Sequence, residues 1–297
     1  MADSTKVNIE VFGLLNDINF VRAKCCANDI HKQHPKVFNE PVIKGMLEFE
    51  WDLYIEAKKK EIRGEAWSFS ENAIIFINNQ LIGGPNDFIF WAEENYQFQE
   101  FRPMPLYETL TEEGYKTTLN SKNHEYVYFD VNIGDEPVGK IVIELFTDVV
   151  PKTCSNFKSL CIGDKGTCIE TDSKLSYADT LFHRIVPNGW IQGGDVYHSR
   201  GNGGESVYGT VFEDENFAVP FSNRGIVGMA NKGRHTNASQ FFITLQPAPW
   251  MNTNYVAFGQ IIEGTETLKK IEEQETMNER PVKDVKITDC GVSTYEF

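Results

Sequence analysis

The sequence is short of cysteine, short of positive charge and without a long apolar run, and each shortage removes a class of function. Six cysteines in 297 residues are too sparse for a disulfide framework. Cys25 and Cys26 are adjacent, Cys154, Cys161 and Cys168 stand seven apart, and no Cys-x-x-Cys or zinc-ligand spacing of Cys and His occurs, so no metal site is expected. Lys and Arg number 28 against 43 Asp and Glu, a formal net charge of −15 shared by both halves of the chain. Nucleic-acid phosphates and anionic membrane surfaces are poor partners for such a charge. No apolar stretch approaches the roughly 20 residues that a membrane-spanning helix needs. The polar, acidic start from Met1 to Lys6 reads as neither a signal nor a transit peptide, so a soluble, cytoplasmic chain is expected. What is present is ordinary: 41% hydrophobic and 24% charged residues, the balance of a folded protein, at a length that favours two domains.

The first hundred residues alternate strand and helix patterns. Val7, Ile9 and Val11 alternate with polar neighbours as in a strand. Phe20, Ala23, Ala27 and Ile30 then recur at helical spacing behind Asn16 or Asp17 as N-cap. A second helix is expected over about Met46–Ile62, closed by Lys58-Lys59-Lys60 at the negative end of its dipole. Next, the Asn78-Asn79 pair divides two short strands, because a tight hairpin turn needs positive φ at both central positions. A last helix starts near Asn86.

This order, with Phe76-Ile77-Asn78-Asn79-Gln80-Leu81-Ile82-Gly83-Gly84, then Asp87, and with Val21-Arg22-Ala23-Lys24, resembles glutaredoxin within the thioredoxin fold. Where that family carries its redox motif, this chain has Asp17-Ile18-Asn19-Phe20, so thiol–disulfide exchange has no nucleophile at the helix N-terminus. Cys25 and Cys26 lie about two turns further on, and burial is the expected fate of both. Residues 1–96 therefore read as an α/β thioredoxin-like domain without redox chemistry, suited to docking. Residues 97–124, with Phe101-Arg102-Pro103-Met104-Pro105-Leu106 and then Gly114, read as a linker packed in part against one domain.

From residue 125 short strands and glycine-rich turns take over, with isolated helices from Pro151 and over about Thr265–Gln274. That pattern suggests a closed barrel capped by helices. The informative segments are Phe182-His183-Arg184-Ile185-Val186-Pro187, Ile191-Gln192-Gly193-Gly194-Asp195, Gly201-Asn202-Gly203-Gly204 and Phe212-Glu213-Asp214-Glu215-Asn216-Phe217. Met229-Ala230-Asn231 and Thr236-Asn237-Ala238-Ser239-Gln240-Phe241-Phe242-Ile243 follow. Together they resemble a cyclophilin, a peptidyl-prolyl cis-trans isomerase, over about residues 126–292. The resemblance implies an eight-stranded antiparallel barrel over 125–297 capped by two helices. Its pairing with a degenerate thioredoxin-like domain resembles a subfamily associated with motile cilia, which implies an axonemal, radial-spoke type of assembly as partner.

The reaction so implied is rotation about an Xaa-Pro bond, whose amide barrier is about 18–20 kcal/mol and which turns over in tens to hundreds of seconds unaided. It needs an apolar slot for the proline ring, anchors for the flanking backbone, and a donor aimed at the prolyl nitrogen; no cofactor is required. By resemblance Arg184 is that donor, its guanidinium permanently charged and forked. Gln192 would hold Arg184 and the substrate carbonyl, Phe242 would floor the slot, and Asn231 would bond the peptide backbone. Gly201 and Gln240 would line the neighbouring groove, and Trp250 matches the tryptophan through which cyclosporin binds. Phe241, adjacent to Phe242 on a strand, is expected to face the core.

The departures concern the slot. Gly189-Trp190 stands where the family carries an aromatic–methionine pair. Losing one phenylalanine wall forfeits about 1.5–3 kcal/mol, roughly ten- to a hundredfold in affinity, unless Trp190 refills the space. Tyr255 replaces the pocket histidine and Met251 a leucine. Lys232 stands where a small residue opens a second pocket, which implies a preference for an acidic side chain before proline. The chain is about eight residues longer than minimal cyclophilins between Gly166 and Phe182, and the polar insertion Thr167–Leu181 reads as a surface loop for a partner. The expected activity is a weak prolyl isomerase acting on proline-containing peptides; the alternative is a binding or structural subunit without turnover.

Overall fold

In the computed structural model, residues 6–295 are described, and the chain divides into two compact units at residues 122 and 123, with Tyr295 belonging to the first. The first unit is α/β. Strand β1 (Ile9–Leu14) pairs parallel with β2 (Val42–Met46) and antiparallel with β3 (Ala73–Ile77). Strand β3 turns through Asn78 and Asn79, at φ 51° and 65°, into β4 (Gln80–Gly83). The sheet order is β2-β1-β3-β4, an α/β arrangement compatible with the expected one.

Helices α1 (Ile18–Gln33) and α3 (Pro85–Tyr96) supply Phe20, Ala23, Ala27, Ile30 and Phe88 to one face of this sheet, against Ile9, Val11, Ile75 and Ile77. Helix α2 (Glu48–Ile62) covers the other face, where Trp51 meets Ile74 and Phe76. A strand with helices on both faces loses the in/out alternation of a half-buried one, and β3 is buried at all five residues.

Residues 97–124 contain a helix that the linker expectation did not include: α4 (Met104–Ser121). Tyr107, Thr111, Tyr115 and Leu119 are its buried stripe, at the fourfold spacing of one helical face. The segment leading into it is tied to α1 by ion pairs. Glu100 accepts from Arg22 Nε and Nη2 at 2.9 and 2.8 Å, and Asp29 pairs with Arg102.

The second unit is all-β with two capping helices. Strands β5 (Glu125–Ile133), β6 (Glu136–Leu145), β7 (Arg184–Val186), β8 (Trp190–Gly193), β9 (Ile226–Met229), β10 (Phe241–Thr244), β11 (Ala257–Glu263) and β14 (Val285–Ser293) form one antiparallel sheet. Its order is β14-β5-β6-β11-β9-β10-β8-β7. The chain just ahead of β7 closes the barrel onto β14: Phe182 N–H donates to Val285 O at 2.8 Å, and Ile287 N–H to Thr180 O at 2.9 Å. Two-residue strands β12 (Thr276–Met277) and β13 (Arg280–Pro281) make a small hairpin beside β7.

Helices α5 (Pro151–Ile162) and α6 (Thr265–Glu272) cap the barrel with Phe157, Leu160, Leu268 and Ile271. The interior is aromatic. Phe157 lies 4.7 Å from Phe258 and 5.2 Å from Phe241, ring centre to centre, and Phe129 and Tyr177 complete the cluster. Tyr177 corrects the surface-loop reading of Thr167–Leu181. It is fully buried and its hydroxyl donates to Ser239 O at 2.7 Å, while Cys168 and Leu175 are buried as well. An aromatic ring with one satisfied polar tip gains more inside a core than at the surface. Only part of the insertion, including Ile169, is exposed.

Candidate active-site groove

Three neighbouring strands assemble the centre of the site. Arg184 on β7 is directly opposite Gln192 on β8, and Gln192 is directly opposite Phe242 on β10. Directly paired residues share a sheet face, so these three side chains stand in one row on the outside of the barrel. Their neighbours in sequence alternate inward: Ile185, Ile191, Phe241 and Ile243 are all fully buried. The row continues through Gly228 on β9, which pairs with Phe242 and with Ala257 on β11. A glycine is needed there, since a Cβ at 228 would lie 2.7 Å from Phe242 Cζ and 2.8 Å from Phe221 Cε1.

Phe242 floors a small apolar cluster with Phe221, Ile226, Ala248, Met251 and Ala257, and Trp190 and Tyr255 pack on it from the side. The Tyr255 ring stands edge-on to Phe242 at 5.4 Å. Only 3% of Phe242 is exposed, so its present neighbours nearly fill the slot that a proline ring would enter. Met251 is buried with it, whereas Trp250, on a short 3-10 turn, is 58% exposed.

The polar residues form two separate groups. Gln192 Nε2 donates to Gln240 Oε1 at 2.9 Å, and Gln240 Nε2 donates to Gly203 O at 2.7 Å. Arg184 does not share this chain of bonds: its Nε–H donates to Glu279 Oε2 at 2.6 Å, and its guanidinium carbon lies 5.2 Å from the Trp190 ring centre. Beside the glutamines opens a cavity of about 460 Å³ lined by Gly201, Asn231, Lys232, Gln240 and, from the insertion, Glu170. Asn231 Nδ2 donates to Asn254 O at 2.9 Å, and Lys232 Nζ reaches Asn202 O at 3.3 Å.

One wall of this cavity is organised by a residue that the motif reading quoted without a role. Asp195 is fully buried, and its carboxylate accepts from six backbone N–H groups. Oδ1 takes those of Tyr197 and His198, and Oδ2 those of Arg200, Gly201, Asn202 and Gly203, at 2.8 to 3.2 Å. Burial alone would push this carboxyl up, yet the backbone donors outweigh it and hold the acid below its ordinary range. Gly201 fits the wall for two reasons: its φ is +89°, and a Cβ there would lie 2.7 Å from His183 Cδ2. His183 is itself buried, which pushes its imidazole below its usual value and keeps it neutral. Glu205, also buried, accepts from Tyr197 Oη and from Ile169 N–H and so stitches the insertion to this wall.

All eleven expected site residues thus lie in this unit. Arg184, Gln192, Phe242 and Trp190 stand on adjacent strands; Gly201, Asn231, Lys232 and Gln240 line the cavity; Met251 and Tyr255 pack at the slot, with Trp250 next in sequence. Asp195, Glu170 and Glu279 were missed. The two glutamates are brought in by an insertion and a hairpin whose positions relative to Arg184 only the fold reveals.

In the first unit the α1 N-terminus is already occupied. Asp17 Oδ1 accepts from the backbone of Asn19 and Phe20 at 2.7 and 3.3 Å, and Oδ2 accepts from Asn72 Nδ2. Burial pushes the thiols of Cys25 and Cys26 upward, away from the reactive thiolate. Among the described residues no group of three or more His, Cys, Asp or Glu is placed to hold a metal ion, and no helix is long and apolar enough to cross a membrane.

Residues 128–292 match the family described as cyclophilin type peptidyl-prolyl cis-trans isomerase/CLD. A human protein named "Probable inactive peptidyl-prolyl cis-trans isomerase-like 6" is 45% identical over 285 residues, which cover 96% of this chain and 91% of that protein. A mouse protein of the same name is 46% identical at the same coverage. The mouse NK-tumor recognition protein is 46% identical over 175 residues, 59% of this chain and 12% of that much longer one. The motifs, the barrel and the cross-strand row agree with these matches: the chain belongs to the cyclophilin-type peptidyl-prolyl cis-trans isomerase family.

Proposed function

We propose that the chain binds Xaa-Pro segments in this groove and isomerises them weakly. The observation that carries the reading is the row Arg184–Gln192–Phe242 across β7, β8 and β10, which sets a cationic donor, an amide and an aromatic floor side by side. Rotation requires an apolar seat and a donor at the nitrogen that loses amide conjugation, and these residue types supply both. In this reading Arg184 gives the donor, Gln192 and Asn231 bind the peptide backbone, and Phe242, Met251 and Tyr255 seat the ring. Gly201, Lys232 and Gln240 bound the pocket for the residues before proline. Weakness follows from the slot, where Tyr255 stands edge-on to Phe242 and Trp190 packs on the same cluster, leaving Phe242 only 3% exposed.

A second reading, binding without useful turnover, has its own support: the Arg184 Nε–H is already engaged by Glu279, and the human, mouse and cattle relatives carry the words "probable inactive" in their names. The first unit, without a usable thiol, is assigned to docking, and through the resemblance to a ciliary assembly. Localisation of the tagged chain elsewhere in a ciliated cell would remove that part.

The experiment for the main reading is exchange NMR on an Ala-Pro tetrapeptide with the full chain, with and without cyclosporin. Exchange above background that cyclosporin suppresses through the exposed Trp250 supports it. Peptide shift changes without faster exchange favour the second reading.

A further inference from the structure

The Asn278-Glu279 turn between β12 and β13 has φ +50° and +64° at its two central residues. Two-residue hairpins of this kind strongly favour Asn-Gly, since the second position also needs positive φ. Here that position carries a glutamate. Its backbone is fastened to the strand of Arg184, because Ile185 N–H donates to Glu279 O at 2.7 Å. Its carboxylate accepts from Arg184 Nε at 2.6 Å. The turn therefore holds the arginine by the side chain and the next residue by the backbone.

The pair lies 41% and 44% exposed, so both groups face solvent and a peptide can reach them. One of the five guanidinium N–H donors, the Nε–H, is thus taken by an internal acceptor. The guanidinium charge is offset by a carboxylate at contact distance, and its flat face lies over Trp190. Across the strand Gln192 turns to Gln240.

We propose that Glu279 is a built-in brake: its carboxylate competes with a proline-containing peptide for the Arg184 guanidinium, so that occupancy of the groove requires the ion pair to open. This rests on the prolyl-peptide reading above. Glu279 acts through Arg184 and is a positioning residue. Since the pair is half exposed, its hold on Arg184 weakens with salt.

The test uses the full chain, its Glu279→Gln and Glu279→Gly variants, and an uncharged Ala-Pro tetrapeptide. Glu279→Gln removes the charge and keeps an acceptor. Glu279→Gly removes the carboxylate and suits the positive φ, so it preserves the turn. The expected result is a Kd lower by about two- to fivefold and exchange faster by a similar factor. The side-chain Nε–Hε resonance of Arg184 shifts in both variants before any peptide is added. Salt should speed exchange by the wild type more than by Glu279→Gly, a difference that a merely structural role would not produce. Glu272→Gln, which disrupts the Arg224–Glu272 ion pair, serves as the control and should leave binding unchanged. Unchanged or weaker binding in both Glu279 variants, with an active wild type, overturns the brake alone and makes Glu279 a support for Arg184. Silence in every chain, wild type included, removes the prolyl-peptide reading and the brake with it.

Discussion

Replacing Asp195 by asparagine would damage the groove from behind, through the backbone that carries Gly201. The carboxylate divides six backbone N–H groups between its oxygens, two on Oδ1 and four on Oδ2. Asparagine has one oxygen, which would go to the four-donor side. Its NH2 would then face the N–H groups of Tyr197 and His198. A fully buried donor left without an acceptor costs about 1–3 kcal/mol; Tyr197 is half-buried and His198 exposed, so the two together imply a loss at the low end, about 2 kcal/mol. In a unit of this size 1 kcal/mol moves Tm by about 2–4 °C, so the variant should melt about 4–8 °C lower.

Thermal and urea unfolding of the full chain, followed by near-UV circular dichroism and compared between wild type and variant, reads this directly. The six cysteines are free thiols, so the transition can be followed in reducing buffer. A loss under about 1 kcal/mol would refute the reasoning and mean that water reaches the loop. The same residue gives a pH dependence with a definite sign. Its acid is held below its ordinary range in the folded chain, so its contribution is complete above the unfolded value near 4. The contribution is lost as pH falls through the lower folded value. The asparagine variant should lack that acid-side decline.

Other expectations follow from single contacts. Gly228→Ala would press a methyl group into Phe242 and Phe221; it should cost about 1–3 kcal/mol in urea unfolding and abolish peptide-induced shifts. A peptide with Glu two residues before proline should bind about two- to fivefold tighter than its Ala counterpart at low salt through Lys232, with equal affinities counting against that role. In the folded chain Cys26 should resist maleimide at neutral pH, because burial raises its thiol; rapid labelling would contradict the buried α1 face.

What could be read without the structure was what neighbouring residues encode together. Arg184, Gln192 and Phe242 stood out because the runs that carry them resemble those of the family, and the pairing of β7, β8 and β10 sets them side by side. A cap at Asn16 or Asp17, which proves to be Asp17, and Asn78-Asn79 as a turn were legible because a cap oxygen and a positive φ are local demands. The α4 helix was obscured by a polar composition and by Gly114, although Tyr107, Thr111, Tyr115 and Leu119 kept the helical spacing. Tyr177 looked like part of a polar loop because its partner, Ser239, is 62 residues away. The Arg184–Glu279 bond spans 95 residues, and no local pattern in the chain signals that a glutamate at a left-handed turn position will land on that guanidinium.

In the proposed function, rotation about the prolyl bond depends on Arg184 as the donor. The direct measurement is exchange NMR of an Ala-Pro tetrapeptide with the full chain and with Arg184→Ala at matched concentration. Because Arg184 is half exposed and its substitution leaves the core intact, the variant should fold normally, retain peptide shifts at Gln192 and Gln240, and lose at least tenfold in exchange. Equal exchange by the two chains would contradict the assignment of Arg184, and with it the reading of this groove as an isomerase site.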